Sequence, residues 1–360
     1  VPSSKSGASV SSDLTRIPMR NPSSRIPVAI TLGDPRGVGP EVVLKALALR
    51  GVARGIVPVV VGSPAVVRRA QRLIGGEMPI LPLSPGELPD MRQARGVYVL
   101  CPKGVRPTQT GSGDARLSGR MSFACVREGV RLCAEGGASA LVTAPVSKAS
   151  LKAAGTGYVG HTEMLRVLSR AKTAVMMFAW AKHRVSLVTT HVPLSAVSKA
   201  LTKRRVETTI SLTERALRFL YRVSEPRMAV LSFNPHKGEN GLLGREEQRV
   251  IEPAILSSRR RGLDIHGPFA ADSFFSRSEW KTFHAIVAMY HDQGLIPAKI
   301  LGGEKAVNVT LGLPFVRTSP GHGTAEDIAW KGIANPGAMA SAILLAARLA
   351  RNVRVPLAWD

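Results

Sequence analysis

Val185-Ser-Leu-Val-Thr-Thr-His191, Met228-Ala-Val-Leu-Ser-Phe-Asn-Pro-His236 and Ala285-Ile-Val-Ala-Met-Tyr-His291 share one construction: a short apolar, β-rich run followed closely by a histidine. Runs of this kind read as buried strands. In open α/β sheets, ligands gather beyond the carboxyl ends of the strands. Three neutral imidazoles converging there would make a three-ligand metal site with positions left open for water or substrate, the catalytic arrangement. The spacings of 45 and 55 residues exclude a local zinc finger and require the fold to bring the ligands together. The competing reading is that each histidine caps its strand and hydrogen-bonds locally.

Outward from these runs, the chain alternates strand and helix from Ile26 onward. The patterning predicts strands at 27–32, 56–61, 97–100, 140–142, 174–179, 185–190, 228–232, 285–290 and 306–311. It predicts helices at 40–49, 65–74, 122–134, 147–154, 204–222 and 245–260, a short one at His161 and a last one from Pro336. Such alternation means an α/β protein with a largely parallel sheet. No fixed-period repeat and no linker-like stretch divides the chain. Residues 26–360 are therefore expected to form a single catalytic unit of two interleaved lobes that share a continuous sheet, with the active site in the cleft. Residues 1–25 hold eight serines and four basic residues against one acid, Asp13. They are expected to be a disordered tail or an upstream extension.

At 360 residues the chain can bury a large core. No apolar run approaches the roughly 20 residues that span a bilayer, so a soluble protein with no membrane partner is expected. Cys101, Cys125 and Cys133 are too few and scattered for a disulfide framework, which suits a reducing cytoplasm. The formal net charge of +24 admits a nucleic-acid surface. Against that, the basic residues are spread along the chain, aromatics are not interleaved with them, and no nucleic-acid-binding signature is present. No nucleic-acid partner is expected. The densest clusters, Lys203-Arg204-Arg205 and Arg259-Arg260-Arg261, fall at expected helix ends, and a basic surface suits a small anionic substrate.

Five further motifs carry chemistry. Gly155-Thr-Gly157-Tyr-Val-Gly160 matches the dinucleotide fingerprint formally, but a helix rather than a strand leads into it, so it reads as a helix stop and turn. Gly33-Asp-Pro-Arg-Gly-Val-Gly-Pro-Glu41 follows the first strand and reads either as an anion-binding turn or as a tight turn into a helix. His161-Thr162-Glu163 could meet a substrate or, with Thr162 as cap, begin a helix. Lys299, Asn308 and Arg317, brought to one pocket, would bind phosphate or carboxylate. The glycine–histidine turn at Gly321-His322-Gly323-Thr324 feeds a run ending at Asn335-Pro336 and is a weak signal by itself.

Taken together, these motifs resemble the 4-hydroxythreonine-4-phosphate dehydrogenase family of vitamin B6 biosynthesis. The resemblance rests on the Gly33–Glu41 motif and on Thr143-Ala-Pro-Val-Ser-Lys148, Gly160-His-Thr-Glu163, Thr189-Thr-His-Val-Pro-Leu194 and Asn234-Pro-His-Lys-Gly-Glu239. Tyr290-His-Asp-Gln-Gly294 and the stretch Asn308–Ser319 complete it, in family order over roughly residues 26–350. The segment from His322 to Pro336 also looks like the nucleotide loop of isocitrate and isopropylmalate dehydrogenases, so the resemblance implies that fold and not a Rossmann one. It implies His191, His236 and His291 as ligands of one divalent metal (Zn, Mg or Co), with His291 contributed by the partner subunit of a homodimer. It implies His161, Thr162, Lys299, Asn308 and Arg317 as substrate-binding residues, and Asp272 with Lys299 as catalytic ones. His322, Gly323, Thr324, Asp327 and Asn335 would lie beside NAD or NADP.

The implied reaction oxidises the C3 hydroxyl of 4-phosphooxy-L-threonine and then releases CO2. The same chemistry on a phosphorylated four-carbon sugar acid or an aromatic dihydrodiol carboxylate is the nearest alternative. A non-redox, phosphotransacetylase-like protein is the alternative from another class. Three positions depart from the family pattern: Arg36 where a small residue is common, Ala270 in place of proline, and Trp330 in place of glycine.

Overall fold

The amino-terminal half contributes β1 (Ile26–Thr31), α1 (Gly39–Ala48), β2 (Ile56–Val61), α2 (Pro64–Ile74), β3 (Ile80–Leu83), β4 (Val97–Leu100), α3 (Ala115–Ala134), β5 (Ala140–Thr143) and α4 (Lys148–Ala153). Next come α5 (His161–Leu168), β6 (Val175–Trp180), β7 (His183–Leu187), α6 (Leu194–Ala200), α7 (Lys203–Phe219) and β8 (Arg227–Leu231). The rest is α8 (Glu252–Arg260), β9 (Asp264–Phe269), α9 (Ala271–Ser276), β10 (Ala285–Ala288), α10 (His291–Gly302), β11 (Val307–Leu311), β12 (Val316–Ser319) and α11 (Gly337–Asn352). This is a computed structural model that describes residues 25–353 and 357–359, apart from 88, 91–95 and 112. All but the last residue of the expected amino-terminal tail lies outside the described residues. No helix among the described residues is long and apolar enough to cross a membrane.

All the strands join one sheet in the order β3-β4-β2-β1-β5-β12-β11-β6-β7-β10-β8-β9. The sheet is largely parallel, as the alternation predicts. The antiparallel contacts are confined to β12–β11, β11–β6 and β6–β7 in its middle. Three reversals leave the two parallel ends running in opposite directions. Strands β1, β2 and β5 are buried along their whole length, as strands covered on both faces must be. Two residues beyond β1 stands Gly33, whose φ of +71° and 2.2 Å gap from a would-be Cβ to the Pro145 carbonyl leave room only for glycine.

Several elements differ from the sequence reading for identifiable reasons. Helix α3 starts seven residues earlier than expected because Asp114 caps it, accepting from Arg116 N at 2.8 Å and Leu117 N at 3.2 Å. The expected helix at 245–260 opens with a π-helical turn, Glu247–Ile251, before Pro253 starts its α-helical part. Helix α10 was not expected at all, since Gly294 and Pro297 lie inside it. Gly294 packs against Leu187, Val185 and Ala288, so its lack of a side chain sets the helix close to the sheet. Strands β3, β9 and β12 were also missed; β12 has four residues, one of them a buried arginine.

The sheet centre should be the most mutation-sensitive region. Leu141, fully buried on β5, has its methyl groups where Gly129 of α3 approaches. Leu141→Ala should cost about 3 kcal/mol in urea unfolding, and a loss below about 1 kcal/mol would contradict this packing.

Candidate active site

Strands β7, β10 and β8 are parallel neighbours, so the three histidine-bearing runs leave the sheet side by side. The rings of His191 and His291 stand 5.7 Å apart, centroid to centroid. Burial first, then the charges of Lys148 and His291, lowers the His191 pKa, which keeps the imidazole neutral and its lone pair available. Asp292 holds Nδ1 of His291 at 2.6 Å. Against a carboxylate that nitrogen must donate, so the Nε2 of neutral His291 carries the lone pair. Both rings therefore fit adjacent positions in a metal site.

His236 is placed differently. The segment after β8 takes left-handed backbone angles from His236 to Asn240, with φ between 44° and 80°. Four of those residues are not glycine, so the conformation is strained and must be held. Glu247, 1% exposed, does this by accepting from Phe233 N and Asn234 N, each at 2.7 Å, and from Asn234 Nδ2 at 2.9 Å. The turn leaves His236 exposed. Among the described residues no three His, Cys, Asp or Glu side chains gather as a metal-binding group. The ring that the family resemblance assigns to a partner subunit thus stands beside His191 within one chain, and His236 lies exposed on the turn after β8.

Two side chains that the sequence reading did not single out tie the three runs together. Thr189 donates from N and Oγ1 to the Met289 carbonyl at 3.1 and 2.8 Å. Gln293 accepts from Met289 N at 2.7 Å and donates to the Ser232 carbonyl at 2.6 Å. Each stands within two residues of a candidate histidine and inside a motif that carries the family resemblance.

A second cluster surrounds Arg317. This side chain is 1% exposed, and no carboxylate pairs with it among the described residues. It donates from Nη1 to Thr310 Oγ1 at 2.8 Å and from Nη2 to Thr143 Oγ1 at 2.6 Å, while Nε has no partner. Burial pushes its pKa down to about 9. Burial first, and the Arg317 charge second, hold His161 well below 6.5, so its imidazole is neutral. His161 Nε2 and Asn308 Oδ1 are also buried without protein partners. A buried cation that lacks a counter-ion and keeps a free N–H is suited to an anion from solution.

Thr162 does not cap α5; Gly160 is the N-cap residue and makes no side-chain bond. Thr162 instead lines an open cleft of about 1080 Å³ together with His191. Arg204 and Arg205 of α7 and Arg261 beyond α8 line the same cleft, so both basic clusters face one cavity. Asp272 on α9 and Lys299, about two turns beyond His291 on α10, are exposed. Among the described residues, neither of them hydrogen-bonds to Arg317. The glycines at 155–160 act as a stop and turn: Thr156 N bonds Leu151 O and Gly155 N bonds Lys152 O, closing α4.

His322, Gly323 and Asp327 lie exposed on the segment after β12, and Gly323 has open space where a Cβ would stand. Thr324 is half-buried beside them, and Asn335 donates to Glu304 at 2.6 Å. An exposed loop with an open glycine fits the approach of an extended ligand. The three family departures find local roles. Arg36 pairs with Glu326 at 3.2 Å. Ala270 has a φ of −67°, the angle that proline would impose. Trp330 has a φ of +61°, where glycine is the unstrained residue.

The model of the family described as pyridoxal phosphate biosynthetic protein PdxA matches residues 55–346. A 4-hydroxythreonine-4-phosphate dehydrogenase from Geobacter metallireducens is 41% identical over 345 residues, covering 92% of this chain and 97% of that protein. A D-threonate 4-phosphate dehydrogenase from Salmonella typhimurium is also 41% identical, over 328 residues, covering 90% and 98%. The crystal structure of 4-hydroxythreonine-4-phosphate dehydrogenase from Klebsiella pneumoniae superposes with a TM-score of 0.79 at 37% identity, covering 91% of this chain and 98% of that one.

Phosphate at about 100 times its dissociation constant should stabilise the protein by about 2.7 kcal/mol. Arg317→Met should abolish that gain while leaving the ligand-free protein no less stable in urea, because an unpaired buried charge is lost. An undiminished phosphate response in the variant would rule out Arg317 as the anion site. His161 gives a pH test. Its folded pKa is depressed, so its contribution is complete above about pH 6.5 and is lost as pH falls below that value. His161→Gln should shrink the drop in Tm between about pH 7 and about pH 5; an unchanged drop would contradict the assignment.

Proposed function

Because the chain belongs to the PdxA family of pyridoxal phosphate biosynthetic proteins, we propose that it is a dehydrogenase acting on 4-phosphooxy-L-threonine. In the proposed reaction, hydride leaves C3 for NAD or NADP, the C3 hydroxyl proton is released, and the resulting β-keto acid loses CO2. The product is 3-amino-2-oxopropyl phosphate. The observation that carries this reading is the buried Arg317 guanidinium, unpaired with any carboxylate among the described residues, beside neutral His161 and the unpartnered Asn308 oxygen.

The residues divide the work as follows. Arg317 holds an anionic group of the substrate away from the reacting carbon, which fixes the orientation of C3. Neutral His161 and Asn308 Oδ1 supply hydrogen bonds without adding charge. A divalent ion (Zn, Mg or Co) held by His191, His236 and His291 would stabilise negative charge on the C3 oxygen, and a dinucleotide along 322–335 would accept the hydride. Thr162 lines the same wall as His191, and Lys299 and Asp272 are the proposed catalytic side chains on faces open to a second chain.

A homodimer belongs to the proposal. Exposed apolar side chains follow each histidine: Val192 and Leu194, Leu242 and Leu243, Ile296 and Ile300. A second chain seated there would cover them and could complete the ligand set. Two lobes of the isocitrate/isopropylmalate dehydrogenase type, and a cytoplasmic location, are proposed with it. A second substrate, a phosphorylated four-carbon sugar acid, is favoured by the equal identity to the D-threonate 4-phosphate dehydrogenase.

Dinucleotide reduction should therefore be followed with both substrates side by side, with and without chelator, beside His236→Ala. Turnover of 4-phosphooxy-L-threonine that chelator and mutation each reduce by at least about a hundredfold is expected. Turnover of the sugar-acid phosphate alone would move the protein to the second reading. No turnover of either by metal-loaded protein would overturn the dehydrogenase reading.

A further inference from the structure

The segment from Thr324 to Ala334 contains no helix or strand, and its shape is set from outside. At its start, Val38 N donates to Thr324 O at 2.9 Å, and Gly37 approaches so closely that a Cβ there would lie 2.7 Å from the same oxygen. In its middle, the Trp330 indole donates to the Pro35 carbonyl at 2.9 Å, and the Arg69 guanidinium lies 4.0 Å above the indole ring. These two contacts pin the one tryptophan that sits in left-handed backbone.

The end of the segment is held by an ion pair on α1. Glu41, 1% exposed, accepts from Ala334 N at 2.9 Å and Gly332 N at 3.3 Å. Lys45, one turn later, donates to Glu41 Oε1 at 2.7 Å, to Gly332 O at 2.7 Å and to Ala334 O at 3.0 Å. One pair thus satisfies the amides and the carbonyls of both Gly332 and Ala334. A solvent-facing i,i+4 pair on a helix contributes little, and a buried carboxylate is costly unless its charge and hydrogen bonds are met. Here they are met largely by the backbone of the segment after β12, so this pair's chief structural effect is to fix that backbone.

We infer that Glu41 and Lys45 are positioning residues that set the affinity for the dinucleotide without touching it. The inference rests on the proposed placing of the dinucleotide along 322–335. A segment ordered before binding does not lose that conformational freedom on binding, so loosening it weakens the ligand.

The test uses the whole protein with Glu41→Ala and Glu41→Gln. Backbone amide exchange is measured without ligands, and dissociation constants for NAD, NADP and inorganic phosphate are measured by calorimetry. Glu41→Ala should speed exchange across 324–334 and weaken dinucleotide binding about tenfold, while phosphate binding changes less than about twofold. Glu41→Gln keeps an acceptor oxygen and should recover part of both losses. Lys45→Met provides the same comparison should Glu41→Ala not fold. Unchanged exchange at 324–334 would overturn the clamp itself. Faster exchange with unchanged dinucleotide affinity would overturn its link to the dinucleotide and, with it, the placing of the dinucleotide on this segment. Equal losses for dinucleotide and phosphate, or faster exchange throughout the chain, would make the pair an ordinary packing element and overturn the inference.

Discussion

The guanidinium of Arg317 is enclosed between β12, β11 and β5, where two threonine hydroxyls receive its Nη groups and no carboxylate among the described residues neutralises it. Removing a cation from water costs several kcal/mol that two neutral hydroxyls do not return. A charge so placed is suited to an anionic partner. His161 is part of the same arrangement: burial first, and repulsion by that charge second, keep the imidazole neutral. The unpartnered buried atoms of this cluster are Nε of Arg317, Nε2 of His161 and Oδ1 of Asn308.

The hairpin of β11 and β12 that carries Arg317 and Asn308 also determines the architecture. It lies between the two parallel ends of the sheet and, with β6, reverses their relative direction. The consequence for function is that β7, β10 and β8 present their carboxyl ends together, with His191 and His291 adjacent. The strained turn at His236 shows the same economy. Glu247 spends a buried carboxylate on holding a backbone that would otherwise relax, and Glu41 does so for the segment after β12.

Much of this was legible in the sequence where pattern and local chemistry agree. The buried strands of β1, β2 and β5 announced themselves as apolar runs, and the three histidine-bearing runs follow strands that the structure places side by side. What escaped had a physical reason. Strand β12, Val316-Arg-Thr-Ser319, has one apolar residue in four, so no apolar run marks it, and its arginine reads as a surface residue until the fold encloses it. Helix α10 contains the two residues that ordinarily end helices. Gln293 and Thr189 act through backbone carbonyls far away in sequence, which no spacing reveals. Trp330 was visible only as a departure from a family pattern; its left-handed backbone explains why glycine is the usual occupant. The exposure of His236 follows from the left-handed turn after β8, which neither periodicity nor motif order could supply.

The central claim is that Arg317 is the anion-holding residue of the site. Phosphorus NMR of 4-phosphooxy-L-threonine, titrated with the protein and with Arg317→Met, tests it without requiring turnover. A shifted or broadened resonance that saturates with the unaltered protein and is absent with the variant is expected. The same saturable change with both proteins would place the phosphate elsewhere and contradict the account.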